Sequence, residues 1–130
     1  MTDETLMRQI IAETVDATVS KLQAAGILRS GQCSAVEKTE TLLYQYKALQ
    51  DTQTPYARRV VGEINACLEE FKNDPYIDSI RLFYFDGLKN AAAAAAMHYD
   101  ERTFRRNRRQ LVEKFAVRLA SEEFIEELLR

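Results

Sequence analysis

The sequence predicts an all-α fold, a small helical bundle ending in a helix-turn-helix with an acidic C-terminal helix. Three observations point there. Proline (2) and glycine (4) are scarce in 130 residues, while alanine, glutamate, leucine and arginine abound, a composition that suits helices better than strands. Apolar residues recur at spacings of three and four along most of the chain. Ser, Thr or Asp stands just ahead of several of those periodic stretches, where a helix needs an N-cap. The length fits one domain, or a small domain with a helical extension. The expected division is a helical region over 1–73, suited to oligomerisation or polymerase contact, and a DNA-binding unit over 74–130.

The first helix is expected from about Thr2 or Asp3 to Ala25, with Gly26 as its C-cap. Met7, Ile11, Val15, Val19 and Leu22 form an apolar stripe, widened by Leu6 and Ile10. Such a stripe either packs on the protein's own core or pairs with another copy, and both alternatives stand. A second helix opens at Ser34-Ala35-Val36-Glu37, a capping box, and buries Leu42, Leu43, Tyr46 and Leu49. Thr54-Pro55 starts a third as N-cap and N1. Its seam is Ala57, Val61, Ile64, Leu68 and Phe71, too short for a coiled coil and suited to a bundle. Asp74-Pro75 repeats that opening for a fourth helix, which ends at Asp86-Gly87. Its aromatics (Tyr76, Phe83, Tyr84, Phe85) are expected in the core before they are expected to stack on bases.

The stretch from Asp86 to Leu119 carries the functional signal. Gly87-Leu88 opens it, Asn90 is the expected cap of a short alanine helix (Ala91 to Ala96), and Met97-His98-Tyr99-Asp100 forms the turn. His98 occupies a position where a left-handed backbone is expected. Asp100 then caps a helix in which Phe104, Leu111, Phe115 and Leu119 face inward. Tyr99 and Phe104 are expected to staple the two helices. A short helix, a tight turn and a capped basic helix make the layout of a DNA reader. Between Glu101 and Arg118 seven Lys or Arg face two Glu, a segment of +5 on a chain of net charge −2. The charge is thus localised, which suits one anionic partner rather than general adhesion. Candidate DNA-binding residues are Glu101, Arg102, Thr103, Arg105, Arg106, Arg108, Arg109 and Lys114. Arginines in the first turns can fork onto guanine or clamp phosphates; Lys114 and Arg118 are placed for the backbone. Taken alone, such a run is also compatible with a solvated face or an RNA patch.

The segment Ile80 to Phe115 resembles the region-four helix-turn-helix of bacterial sigma factors, through Gly87-Leu88, Ala94, Asp100 and Thr103-Phe104. More closely, Val36 to Leu119 is similar to the ArpU and RinA group of phage transcriptional regulators. Glu37-Lys38-Thr39-Glu40-Thr41-Leu42-Leu43-Tyr44, Arg102-Thr103-Phe104-Arg105-Arg106 and Leu111-Val112-Glu113-Lys114 carry that similarity. Phe104 stands where the group has valine, and Asn107 where it has tryptophan. The resemblance implies control of phage or prophage genes, late ones above all, by binding near a promoter.

Other classes fare less well. One histidine (His98), two cysteines (Cys33, Cys67) and no CxxC leave too few ligands for a metal, and no cofactor motif or nucleophile is present; an enzyme is not expected. No apolar run approaches the roughly 18 residues of a membrane span, and the acidic start Met1-Thr2-Asp3-Glu4 is not a signal peptide, so a cytoplasmic protein with two reduced thiols is expected. The expected partners are double-stranded DNA, RNA polymerase, and a second copy through the N-terminal helices. The alternative is a DNA-packaging protein of the small-terminase kind, which would assemble into rings.

Overall fold

In the computed structural model, which describes residues 19–130, every regular element among them is helical. α1 is the helical stretch 19–28, α2 spans Ala35–Leu49, α3 Pro55–Glu70, and α4 is a single turn, Asp78–Ile80. It passes directly into a π-helical stretch, Arg81–Phe85, and α5 (Asn90–Ala96), α6 (Glu101–Leu119) and α7 (Glu122–Leu128) follow. α6 is the hub, packing against α2, α3, α4, α5 and α7. The principal core crosses the boundary between residues 73 and 74, drawing on α1 to α3, the π-helical stretch, α6 and α7.

Local chemistry starts most of these helices. Ser34, Thr54 and Ser121 each accept a backbone N–H three residues on, at 3.1 to 3.2 Å, which satisfies one orphan donor of the first turn. At α2 the Ser34 hydroxyl also donates to the Glu37 carboxylate at 3.3 Å, in place of the bond from the Ser34 N–H that the expected capping box would make. Leu42, Leu43, Tyr46 and Leu49 are buried as expected, and Leu128 fixes α7.

Four sequence-level expectations change. α1 runs through Gly26 to residue 28, with the Arg29 N–H still bonded to the Ala25 carbonyl at 3.0 Å, because Leu28 docks in the core at the end of that turn. On α1 the buried residues are Ala24 and Leu28, whereas Val19 and Leu22 stay exposed. Met7, Ile11, Val15 and the expected start of this helix lie outside the described residues. On α3 the fully buried row is Ala57, Val60, Ile64 and Cys67, with Val61, Leu68 and Phe71 half-buried beside it. The helix is covered by α2, α6 and α7, so its apolar face is wider than one seam.

The fourth helix differs most. Asp74 accepts from the Tyr76 N–H at 2.8 Å, a local turn rather than a helix cap, and helical geometry begins only at Asp78. It widens at once, the Asp86 N–H reaching back five residues to the Arg81 carbonyl at 2.9 Å. Successive residues of an α-helix face different directions, and the wider winding lets three consecutive aromatics pack. Phe85 stacks on Tyr46 with centroids 4.2 Å apart, Tyr84 meets Tyr44 edge-on at 5.0 Å, and Phe83 lies 6.3 Å from Tyr44. The aromatics of this region are therefore core.

The buried tyrosine hydroxyls are paired, whereas the buried Ser79 hydroxyl has no partner among the described residues. Tyr46 donates to Asn65 and Tyr56 to Gln45, both at 2.6 Å, and Gln45 donates to the Ser20 carbonyl, joining α3, α2 and α1. Burial pushes the Tyr56 phenol up and keeps it a neutral donor. It also lifts the Cys67 thiol to about 11, which leaves it unreactive.

Phe115 is fully buried in the C-terminal half of α6 and stacks on Phe71 at 5.6 Å. Phe115→Ala is expected to lower stability by about 3–5 kcal/mol, measured by urea denaturation.

Candidate nucleic-acid interface

α5 and α6 form the expected pair of helices. Gly87, at φ +73°, turns the chain into α5, a backbone that glycine adopts without strain. The N-cap position of α5 is Lys89, with no side-chain cap bond; Asn90 is its first helical residue. Asn90 does not cap, because its carbonyl oxygen is turned across to Arg108 at 3.4 Å.

α5 ends in a Schellman motif. The Tyr99 N–H bonds to the Ala94 carbonyl (3.0 Å) and the His98 N–H to that of Ala95 (3.1 Å). His98 takes the left-handed position at φ +61°, a conformation that costs a non-glycine residue roughly 1–2 kcal/mol. Asp100 immediately caps α6, accepting from the Thr103 N–H at 2.9 Å and from its hydroxyl at 2.7 Å. These two bonds hold the Asp100 carboxyl below its usual range, the backbone bond contributing most. Phe104 then seats on Ala93 and Ala94 in a small second core. Methyl-sized side chains let α5 approach closely, so one phenylalanine fixes the angle between the helices. Tyr99 packs on Tyr76 instead, with centroids 4.8 Å apart.

The arginines divide by helical phase. Arg102, Arg105, Arg106 and Arg109, at i, i+3, i+4 and i+7, share one exposed side of α6. With Glu101 they line an open groove. Arg105 pairs with Glu101 at 2.8 Å and Arg109 with Glu113 at 3.9 Å, all four side chains about half exposed. Such pairs contribute about 0.3–0.5 kcal/mol, so a phosphate or a guanine edge can displace them. Arg102 and Arg106 have no acidic partner among the described residues.

Four residues expected at the site have partners elsewhere. The Thr103 hydroxyl belongs to the cap. Lys114 lies 3.8 Å from Asp74, and Arg118, also expected on the backbone, is held between Glu63 (3.5 Å) and Glu70 (3.8 Å). Arg108 does not join the exposed row. Its side chain is 12 % exposed, donates to the Tyr84 hydroxyl at 2.6 Å, and lies 3.8 Å from Glu40. Its guanidinium sits 3.9 Å above the Phe83 ring. Phe104, Arg108, Leu111, Phe115 and Leu119 are spaced by four, three, four and four, so the inward stripe passes through this arginine. Asn107, at the position of the group's tryptophan, returns its amide to the Thr103 carbonyl at 2.8 Å.

Among the described residues no group of three or more His, Cys, Asp or Glu could hold a metal ion, and no helix is long and apolar enough to cross a membrane. Comparisons with protein-family models, curated proteins and solved structures return no match.

The Asp100 cap has a pH signature. A carboxylate whose pKa is lowered on folding stabilises the native state above its unfolded value of 3.8 and loses that contribution as pH falls through the lower folded value. Asp100→Ala is expected to be less stable than the parent at pH 7, with the gap narrowing below pH 3.8, read by urea midpoints across that range. A constant gap would remove the charge from the explanation. Ala94→Leu is expected to force α5 from α6 and cost roughly 1–3 kcal/mol, detectable in the same measurement.

Proposed function

We propose that the protein is a sequence-specific DNA-binding transcriptional regulator that lays the first turns of α6 in the major groove. The observation that carries this is the exposed row Arg102, Arg105, Arg106 and Arg109 on a capped helix, held by α5 through Phe104. Phase matters more than charge here. A helix in the groove presents one face, and these four positions occupy one face. Weak pairing with Glu101 and Glu113 keeps two of the guanidiniums oriented without committing them.

The similarity to ArpU and RinA regulators extends the proposal to phage or prophage genes, late ones above all, in the cytoplasm where that DNA lies. RNA polymerase and a second copy of the chain are the proposed further partners.

Selection of duplexes from a random pool tests the proposal: enrichment of a short site is expected, and recovery of no site would end it. On the selected site Arg105→Ala and Arg106→Ala should each lose roughly 1–3 kcal/mol and relax discrimination at one position. Binding of either variant indistinguishable from the parent would remove that residue from the interface. Affinity should fall with salt at a log–log slope of about −0.9 per phosphate contact, thus no steeper than about −4 if the four exposed arginines carry the binding. Light scattering separates a monomer or dimer from the ring expected of a packaging protein.

A further inference from the structure

An arginine on the inward stripe of a helix calls for an explanation. Arg108 lies between the two cores of the molecule: Phe104 belongs to the smaller, Leu111 to the larger, and Phe83, beneath its guanidinium, packs against both. Its partners come from three other elements. Tyr84 of the π-helical stretch accepts from Nη1, Asn90 of α5 accepts from Nη2, and Glu40 of α2 accepts the Tyr84 hydroxyl proton at 2.7 Å. Burial and the Glu40 hydrogen bond push the Tyr84 phenol well up, so it stays a neutral relay between carboxylate and guanidinium. The arrangement is poor value for stability alone. Removing such charges from water is costly, apolar replacements of similar volume are often as stable or more so, and the Arg108 Nε is buried with no hydrogen-bond partner.

What the network does supply is direction. Apolar contacts tolerate small rotations of a helix, whereas a planar guanidinium with oriented acceptors does not. A group about 6 Å from a helix axis moves about 1 Å for a rotation of roughly 10°, enough to misplace a base contact. The network also adjoins the reader: Glu40, Tyr84, Asn90 and Arg108 share a cleft of about 270 Å³ with Arg105 and Arg109.

We propose that Glu40, Tyr84, Arg108 and Asn90 are positioning residues that fix the rotation of α6 and thereby set which bases the exposed arginines read. This rests on the DNA-binding function proposed above. The network is a determinant of specificity that does not itself touch DNA.

The experiment compares the parent with the triple variant Glu40→Met, Tyr84→Phe, Arg108→Met. The two methionines remove one charge of each sign, so the net charge and the unspecific attraction to DNA are preserved. The parent's site is first selected from random duplexes; if none is enriched, DNA reading fails and the positioning role falls with it. Given a site, cognate and scrambled duplexes are titrated with both proteins, and folding is followed by urea denaturation. The expected result is a triple variant at least as stable as the parent, with unchanged affinity for scrambled DNA. Its preference for the cognate site should be at least about tenfold smaller, the scale of one lost base contact. A stable variant with the parent's preference would overturn the positioning role while leaving DNA binding intact. If the triple variant does not fold, Tyr84→Phe decides alone: it removes only the relay hydroxyl, and undiminished preference would be the overturning result. Lost preference should return with Arg108 and Tyr84 restored beside Glu40→Asp if orientation is the cause; no return would overturn it.

Discussion

The molecule depends on one helix having two occupations. The 19 residues of α6 carry the deepest side chains of the bundle on one face and the exposed arginines on the other. Every other helix from α2 onward packs on it or frames it. Its inward row places Leu111, Phe115 and Leu119 in the main core and Phe104 against the alanines of α5. Displacing the helix would therefore disturb core and reader together. Coupling a surface to the most buried element is a general way to give that surface a fixed geometry.

The turn ahead of α6 shows how strain and capping offset each other. His98 accepts a left-handed backbone, and the adjacent Schellman bonds and the two bonds to Asp100 close both helix ends within four residues. Leftover polar groups are few because the C-cap of one helix runs straight into the N-cap of the next. Acidic residues of α3 and the turn after it then neutralise the C-terminal half of α6, through Asp74, Glu63 and Glu70. The exposed arginine row lies in the half that follows the cap.

Much of this was legible because it is local. Ser34, Thr54, Asp100 and Ser121 announce helix starts through bonds spanning three residues, and the tight turn between two helices places the left-handed residue at His98. What the chain conceals is set by tertiary contact. The aromatic run Phe83-Tyr84-Phe85 fits an ordinary helix in sequence, and only its several neighbours favour the wider turn. Asn90 has a capping residue's chemistry, yet its oxygen meets a guanidinium from another helix. Arg108 was the instructive case. Its spacing from Phe104 and Leu111 fits the inward period, its charge fits the exposed row, and the partners that decide between the two, on α2 and the π-helical stretch, lie 24 or more residues away.

Under the proposed DNA-binding function, the length of the exposed arginine row bounds how much sequence one α6 can read. The stretch that holds the exposed arginine row, residues 102–109, is about 12 Å long at a rise of 1.5 Å per residue, a length of only three to four base-pair steps of about 3.4 Å. A word of four base pairs recurs by chance roughly every few hundred positions, against the millions of competing sites a genome offers. Under that proposal, a row of this length draws its selectivity from a second contact, so a single α6 is half an address.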